Sequence, residues 1–163
     1  MSAKAKKISR ESIVTMFMGY VLEHEEVPKT VYKFCKVNSI QESDFYLHFG
    51  SISTLQKGIW TSFFENASSV MLNNNEFQDF SNRDKMLTFF YTFFEVLTLN
   101  RSYVLFALEQ SNNTLKNMEQ LKGLRKNIKE FATGLIIAGN ENKNTKITKH
   151  NPQLFSEGAW LQF

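Results

Sequence analysis

Cysteine, proline and glycine are all scarce in this chain of 163 residues. The single cysteine, Cys35, excludes an internal disulfide and any cysteine-rich metal site. The two prolines and seven glycines are too few for a turn-rich β fold, so they favour long helices. The three histidines, His24, His48 and His150, lack the spacing of metal ligands. We therefore expect an all-α fold without a metal or other cofactor.

Long apolar runs are missing as well. No window approaches the roughly 18 consecutive apolar residues of a membrane span. The initial MSAKAKK is not followed by the apolar core of a signal peptide. These absences predict a soluble, cytoplasmic protein without membrane contact. No nucleophile is paired with a base, and Cys35 falls on the apolar face of a predicted helix, where a buried thiol is inert. We therefore do not expect an enzyme.

Phenylalanine, in contrast, is abundant. Sixteen phenylalanines and a hydrophobic fraction of 42% supply material for a packed core. A first helix is predicted to end at His24, because Ile13, Phe17, Tyr20 and Val21 recur at helical spacing. Similar periodicity predicts further helices over about residues 30–37, 41–46, 54–72, 82–99, 102–109 and 114–138, with another beginning at 156. Thr30 and Ser81 are the predicted N-caps of two of them.

The net charge of +3 is unevenly distributed along the sequence. The charged residues among positions 1–10 are all basic. Residues 11–55, in contrast, contain three lysines and six acidic side chains. A surface that neutralises DNA phosphates is expected to be locally basic. The amino-terminal tail meets that expectation and the segment that follows it does not.

The segment TVYKFCKVNSIQESDFYLHFGSISTL, residues 30–55, has the layout of a helix–turn–helix. Two short helices are joined by a turn at Asn38 and Ser39. The aromatic residues Phe45, Tyr46 and Phe49 then precede a further helix. In such a motif the second helix presents side chains to the major groove of DNA. The apolar residues of the segment are expected in the core of a three-helix head: Phe34, Ile40, Phe45, Phe49 and Leu55.

From Arg10 to Leu55 the sequence resembles the head of the tetracycline-repressor (TetR) family of bacterial regulators without a gap. The resemblance rests on a capping threonine at Thr30, the turn, and the Tyr-x-His-Phe pattern that begins at Tyr46. It implies a helix–turn–helix head over residues 1–54 and a helical ligand-binding and dimerisation domain over 55–163. It also implies a homodimeric transcriptional regulator that binds double-stranded operator DNA and is controlled by a small apolar ligand.

The resemblance assigns DNA contacts to particular side chains. Tyr46 and His48 would contact phosphates, which fixes position without reading sequence. The reading helix would face the bases, and the basic tail would contact the backbone. The full set of DNA-binding candidates is Lys4, Lys6, Lys7, Arg10, Thr30, Gln41, Glu42, Ser43, Asp44, Tyr46 and His48.

Three departures from the family pattern weaken the expectation of DNA binding. Ser39 replaces the turn glycine, and Ile52 replaces a lysine that contacts phosphate. Glu42 and Asp44 can accept from the amino group of cytosine, but the phosphates on both sides repel them. The alternative is therefore a ligand carrier or protein-binding module of the same fold that has lost sequence-specific DNA binding.

In the family, the carboxyl-terminal helices enclose a ligand pocket. The aromatic wall implied here consists of Phe89, Phe90, Phe93, Phe94, Tyr103, Phe106 and Phe131. The competing interpretation is that these rings simply fill the core. The family dimer pairs two carboxyl-terminal helices, whereas this sequence contains only the start of the first, at residues 156–163. We therefore expect the second domain to be incomplete at its carboxyl terminus.

Overall fold

Helices form nearly all the regular structure of the computed structural model, which describes residues 8–110, 114–141 and 150–162. No strand occurs in these residues, so the predicted all-α fold is confirmed. The described ranges contain α1 (Arg10–His24), α2 (Val31–Val37), α3 (Glu42–Tyr46), α4 (Ile52–Leu72), α5 (Asn82–Leu99), α6 (Arg101–Glu109), α7 (Thr114–Glu119), α8 (Lys122–Glu141) and α9 (Pro152–Leu161). None of them is both long and apolar enough to cross a membrane.

Side-chain caps define where several helices begin. The Thr30 hydroxyl accepts a hydrogen bond from the Lys33 amide at 3.1 Å, at the start of α2. The Ser81 hydroxyl accepts one from the Asp84 amide at 3.2 Å, at the start of α5. Each cap satisfies an amide that has no partner within its own helix. Both predicted N-caps are confirmed.

The chain divides into two compact units by its contacts. The first unit takes its described residues from 1–59 and 101–120, and the second from 60–100 and 121–163. In the first unit, the ring of Phe34 lies 5.9 Å from that of Phe17 and 5.9 Å from that of Phe45, at steep interplanar angles. Phe34, Ile40, Phe45, Phe49 and Leu55 are all buried, as the sequence predicts.

The second unit is built around Phe89 of α5. This ring is fully buried and lies 5.4 Å from Phe64, 5.5 Å from Phe93 and 4.9 Å from Phe131. Helices α8 and α9 pack side by side in the same unit. We call Phe64, Phe89, Phe90, Phe93 and Phe131 the aromatic cluster.

The long helix predicted over 114–138 is interrupted. The structure has two helices there, α7 and α8, with a turn at Gln120 and Leu121. The amide of Asn117 donates to the Leu108 carbonyl at 2.8 Å, and that of Gln120 donates to the Ala107 carbonyl at 2.6 Å. These carbonyls belong to the last turn of α6, where no amide of the same helix is available to them. The polar side chains thus stabilise a break that apolar periodicity alone does not reveal.

Candidate functional sites

The turn between α2 and α3 sets the position of the predicted reading helix. Ser39 has φ 54°, a left-handed conformation that glycine adopts more easily than a residue with a β-carbon. The Asn38 side chain donates to the Phe34 carbonyl at 2.9 Å, and the Ile40 amide donates to the Cys35 carbonyl at 3.0 Å. Buried Ile40 then anchors the start of α3. The two helices are therefore joined by a tight turn despite the serine.

Side chains on and beside α3 differ in their exposure. Gln41 and Ser43 are exposed, whereas Glu42 and Asp44 are half-buried. Beyond them, Tyr46 is 53% exposed and Leu47 is 70% exposed. The four residues predicted to face bases thus lie together at α3, and the two uncharged ones are the more accessible. The exposed Leu47 was not singled out by sequence reasoning, which treated residues 47–53 as a connection between helices.

Both lysines of α2 already have partners within the structure. The Lys33 ammonium lies 2.7 Å from a carboxylate oxygen of Glu26, and this partner raises the pKa of Lys33. The Lys36 ammonium lies 5.9 Å from the centre of the Tyr32 ring, a cation–π arrangement at the surface. Ile52, which stands where the family has a lysine, is half-buried at the start of α4.

His48 and Arg10, which are predicted to contact DNA, form hydrogen bonds within the protein. The Nε2 atom of His48 lies 2.9 Å from the Ile8 carbonyl, so it donates to the backbone just before α1. The Arg10 guanidinium donates to the Gly58 carbonyl at 3.3 Å and lies 5.4 Å from the centre of the Phe49 ring. Both residues therefore also hold α1 in place within the first unit. Lys4, Lys6 and Lys7 lie outside the described residues.

The surroundings of Cys35 do not favour a reactive thiol. The side chain is 2% exposed, and burial raises the pKa of its thiol, an effect to which the negative charges of Glu42 and Asp44 add. A protonated, enclosed thiol is a poor nucleophile. Within the described ranges, no group of three or more histidine, cysteine and acidic side chains is arranged to hold a metal ion.

The seven aromatic residues predicted to form a ligand wall are divided between the two units. Phe89 and Phe93 are fully buried within the aromatic cluster, and Phe94 is 43% exposed. Tyr103, whose pKa is raised by burial, and Phe106 belong to the first unit. Phe90 is the one residue of the seven that borders a cavity lined by α5, α8 and α9 in the second unit. The arrangement of Phe89, Phe93 and Phe131 is that of core packing.

That cavity is a groove of about 1010 Å³, here named the α5–α8–α9 groove. Its walls come from three helices of the second unit and are predominantly apolar. Its described lining residues include Asn82, Arg83, Met86, Leu87 and Phe90 of α5, Leu135, Ile136 and Gly139 of α8, and Leu154, Phe155, Gly158 and Leu161 of α9. Its volume lies at the upper end of ordinary small-molecule sites.

Hydrogen bonds hold the helices that border the α5–α8–α9 groove. The Asn82 amide donates to the Leu135 carbonyl at 2.7 Å, which ties the start of α5 to α8. The Glu157 carboxylate of α9 lies 2.8 Å from the Arg125 guanidinium and also binds Lys129, and these two cations lower the pKa of Glu157. The ion pairs therefore tie α9 to α8 and compensate the charge of Glu157.

The groove was missed by sequence reasoning, which followed the aromatic residues. Its space depends on residues that have little or no side chain. A β-carbon added at Gly158 would meet nothing within 4 Å, and one added at Gly139 would lie 2.8 Å from the Asn82 amide nitrogen. Gly139 and Gly158 are features of the sequence that could have indicated the groove.

Comparison with protein families gives one assignment, and it concerns the carboxyl-terminal part of the chain. Residues 85–163 match the family model described as "Tetracyclin repressor-like, C-terminal domain". This segment does not overlap residues 10–55, which carry the resemblance to that family's head. The two assignments therefore rest on separate parts of the sequence. No curated protein and no solved structure matches the chain.

Proposed function

We propose that this chain, whose residues 85–163 match a tetracycline repressor-like carboxyl-terminal domain, is a DNA-binding transcriptional regulator controlled by a small apolar ligand. The match supports a regulator of this family in general terms. The single observation that carries the finer proposal is the helix–turn–helix geometry of α2 and α3, which precedes the matched domain in the chain.

In this proposal α3 enters the major groove of operator DNA. Exposed Gln41 and Ser43 read base edges, and Glu42 and Asp44 accept from cytosine amino groups. Tyr46 and His48 contact phosphates, and the basic tail of Lys4, Lys6, Lys7 and Arg10 follows the backbone. The protein acts as a homodimer in the cytoplasm, with residues 1–54 as the DNA-binding domain and 55–163 as the ligand-binding and dimerisation domain.

Ligand control follows from a difference in affinity between two states. A ligand that binds one arrangement of the dimer more tightly shifts the population toward it, and DNA affinity changes accordingly. The α5–α8–α9 groove is the favoured location for that ligand, because it combines apolar walls with a few polar groups.

A ligand carrier or protein-binding module remains the second candidate. It is favoured by the low positive charge of this surface. Helix α3 is acidic, Lys33 is ion-paired and Ile52 is apolar. A surface of this kind gains little from neutralising phosphates.

Fluorescence anisotropy with duplex DNA from upstream of the protein's own gene tests the proposal. A scrambled duplex of equal composition serves as the reference, and both are titrated across salt concentrations. A regulator should prefer the native duplex and lose affinity steeply as salt rises. Weak, equal binding to both duplexes would favour the carrier or module.

A pair of matched variants sharpens the experiment. Gln41→Ala should weaken binding to the native duplex by about tenfold and leave binding to the scrambled duplex unchanged, since a lost base contact costs ~1–3 kcal/mol. Gln78→Ala, an equally exposed glutamine in the second unit, should change neither affinity. Equal loss on both duplexes in Gln41→Ala would contradict a reading role for this residue.

A further inference from the structure

The α5–α8–α9 groove has apolar walls and an uneven distribution of charge. Met86 and Phe90 of α5 line it together with Leu135 and Ile136 of α8 and Leu154 of α9. These aliphatic and aromatic groups suit an alkyl or aryl portion of a ligand, since burying apolar area is the main source of affinity in such sites.

Arg83 and Glu157 are the only charged side chains among the described residues that line the groove. Glu157 is engaged by both Arg125 and Lys129, so its negative charge is compensated and is not available to attract a cation. Arg83 is exposed in the first turn of α5 and has no hydrogen-bond or ion-pair partner among the described residues. The uncompensated charge of the groove is therefore positive.

We infer that the α5–α8–α9 groove binds an amphipathic carboxylate, with its apolar portion along the helices and its carboxylate against Arg83. A guanidinium matches a carboxylate in geometry and can form two parallel hydrogen bonds with it. The positive end of the α5 dipole adds a smaller attraction at the same place. This inference rests on the proposed ligand control, for which it supplies the chemical class of the ligand.

Isothermal titration calorimetry with three probes of the same alkyl chain tests the class directly. The probes are decanoate, 1-decanol and decyltrimethylammonium, each kept below its micelle-forming concentration, and the protein is the full chain without DNA. Decanoate should bind about tenfold more tightly than decanol, because a hydrogen bond to a charged group contributes more than a neutral one. The cationic probe should bind most weakly.

Two pairs of variants locate the site. Arg83→Gln should remove the preference for decanoate and leave decanol affinity unchanged, whereas Arg101→Gln, an exposed arginine of the first unit, should leave both unchanged. Gly158→Leu should block both probes, because its side chain would occupy open space in the groove. Gly134→Leu, in α8 and outside the groove lining, should have no effect on either probe.

Several results would overturn the inference. Equal affinity for decanoate and decanol, or preference for the cation, would show that Arg83 does not select the ligand. Absence of binding to all three probes would mean that the groove is covered by other protein, such as a second copy of the chain. Carboxylate binding that depends on Arg83, in a protein that does not bind DNA, would instead contradict the regulator while leaving the inference intact.

Discussion

The two units of this protein use their aromatic residues in the same way and their remaining surface differently. Phe34 in the first unit and Phe89 in the second each lie at the centre of a closed group of rings. In the first unit, the exposed residues at α3 are Gln41 and Ser43, followed by Tyr46 and Leu47. In the second unit, a groove opens where α8 and α9 carry glycine. Aromatic content therefore identifies the cores and says little about where either candidate site lies.

The largest expected effect tests whether the aromatic cluster is a core or a ligand wall. Phe89→Ala should lower the free energy of unfolding by about 3–5 kcal/mol, since a fully buried ring is replaced by a cavity. Tyr91→Ala, in the same helix but 76% exposed, should change it by less than about 0.5 kcal/mol. Urea denaturation followed by circular dichroism measures both.

A small loss in Phe89→Ala, accompanied by a loss of ligand binding, would contradict this assignment. It would indicate that the cluster surrounds a pocket, and the comparison between the two units would then fail.

A second substitution tests how tightly the first unit is packed around Gly58. A β-carbon at Gly58 would lie 2.9 Å from Phe49 Cε1 and 3.3 Å from the Arg10 guanidinium. Phe49 is only 4% exposed and cannot move away easily. Gly58→Ala should therefore destabilise the protein by about 1–3 kcal/mol through overpacking. Thermal unfolding at constant protein concentration measures the change.

The matched control is Gly19→Ala in α1, where an added β-carbon meets nothing within 4 Å. Alanine is the better helix former, so this change should raise stability by up to about 1 kcal/mol. The two identical substitutions thus have opposite expected signs. Stabilisation by both would mean that α1 and α4 pack more loosely than the structure indicates.

The third prediction concerns the turn between α2 and α3. Ser39→Gly should stabilise the first unit by about 0.5–1 kcal/mol, because glycine adopts φ 54° without the cost that a β-carbon carries. The gain is partial, since glycine also increases the entropy of the unfolded chain. Ser43→Gly in α3 should instead lower stability by a few tenths of a kcal/mol. Unchanged stability in Ser39→Gly would indicate that the turn relaxes easily.

Local features of the sequence predicted much of the fold. The apolar periodicity of α1, the N-caps at Thr30 and Ser81 and the burial of Phe34 and Phe45 each depend on neighbours a few residues away. The break between α7 and α8 was not predicted, because Asn117 and Gln120 bind carbonyls of α6. Those partners are separated from them by 9 and 13 residues, beyond the reach of helical periodicity.

The candidate sites were predicted less completely than the fold. The residues of α3 follow from the helix–turn–helix spacing, yet the hydrogen bond between His48 and the Ile8 carbonyl joins residues 40 positions apart. The α5–α8–α9 groove is lined by three helices that are distant from one another in the sequence, and Arg83 gains its significance only because Glu157 is neutralised by residues of α8. Such compensation of one charge by another is a property of the folded chain.

The smallest expected effect concerns the ion pairs of Glu157 with Arg125 and Lys129. The pH dependence of their contribution to stability distinguishes charge from packing. The cations of Lys129 and Arg125 lower the pKa of Glu157 below its usual 4.5 in the folded protein. Their stabilisation is therefore fully present above the unfolded pKa and is lost as pH falls through the lower folded value. Glu157→Gln should reduce the unfolding temperature slightly at neutral pH and not at all in strong acid. Added salt should shrink the difference, because exposed charges are screened.

Glu130→Gln, whose carboxylate lies 3.8 Å from Lys126 in a more exposed pair, should leave the unfolding temperature unchanged at every pH. A loss in Glu157→Gln that persists in acid would mean that α9 is held to α8 by the shape of this side chain and not by its charge.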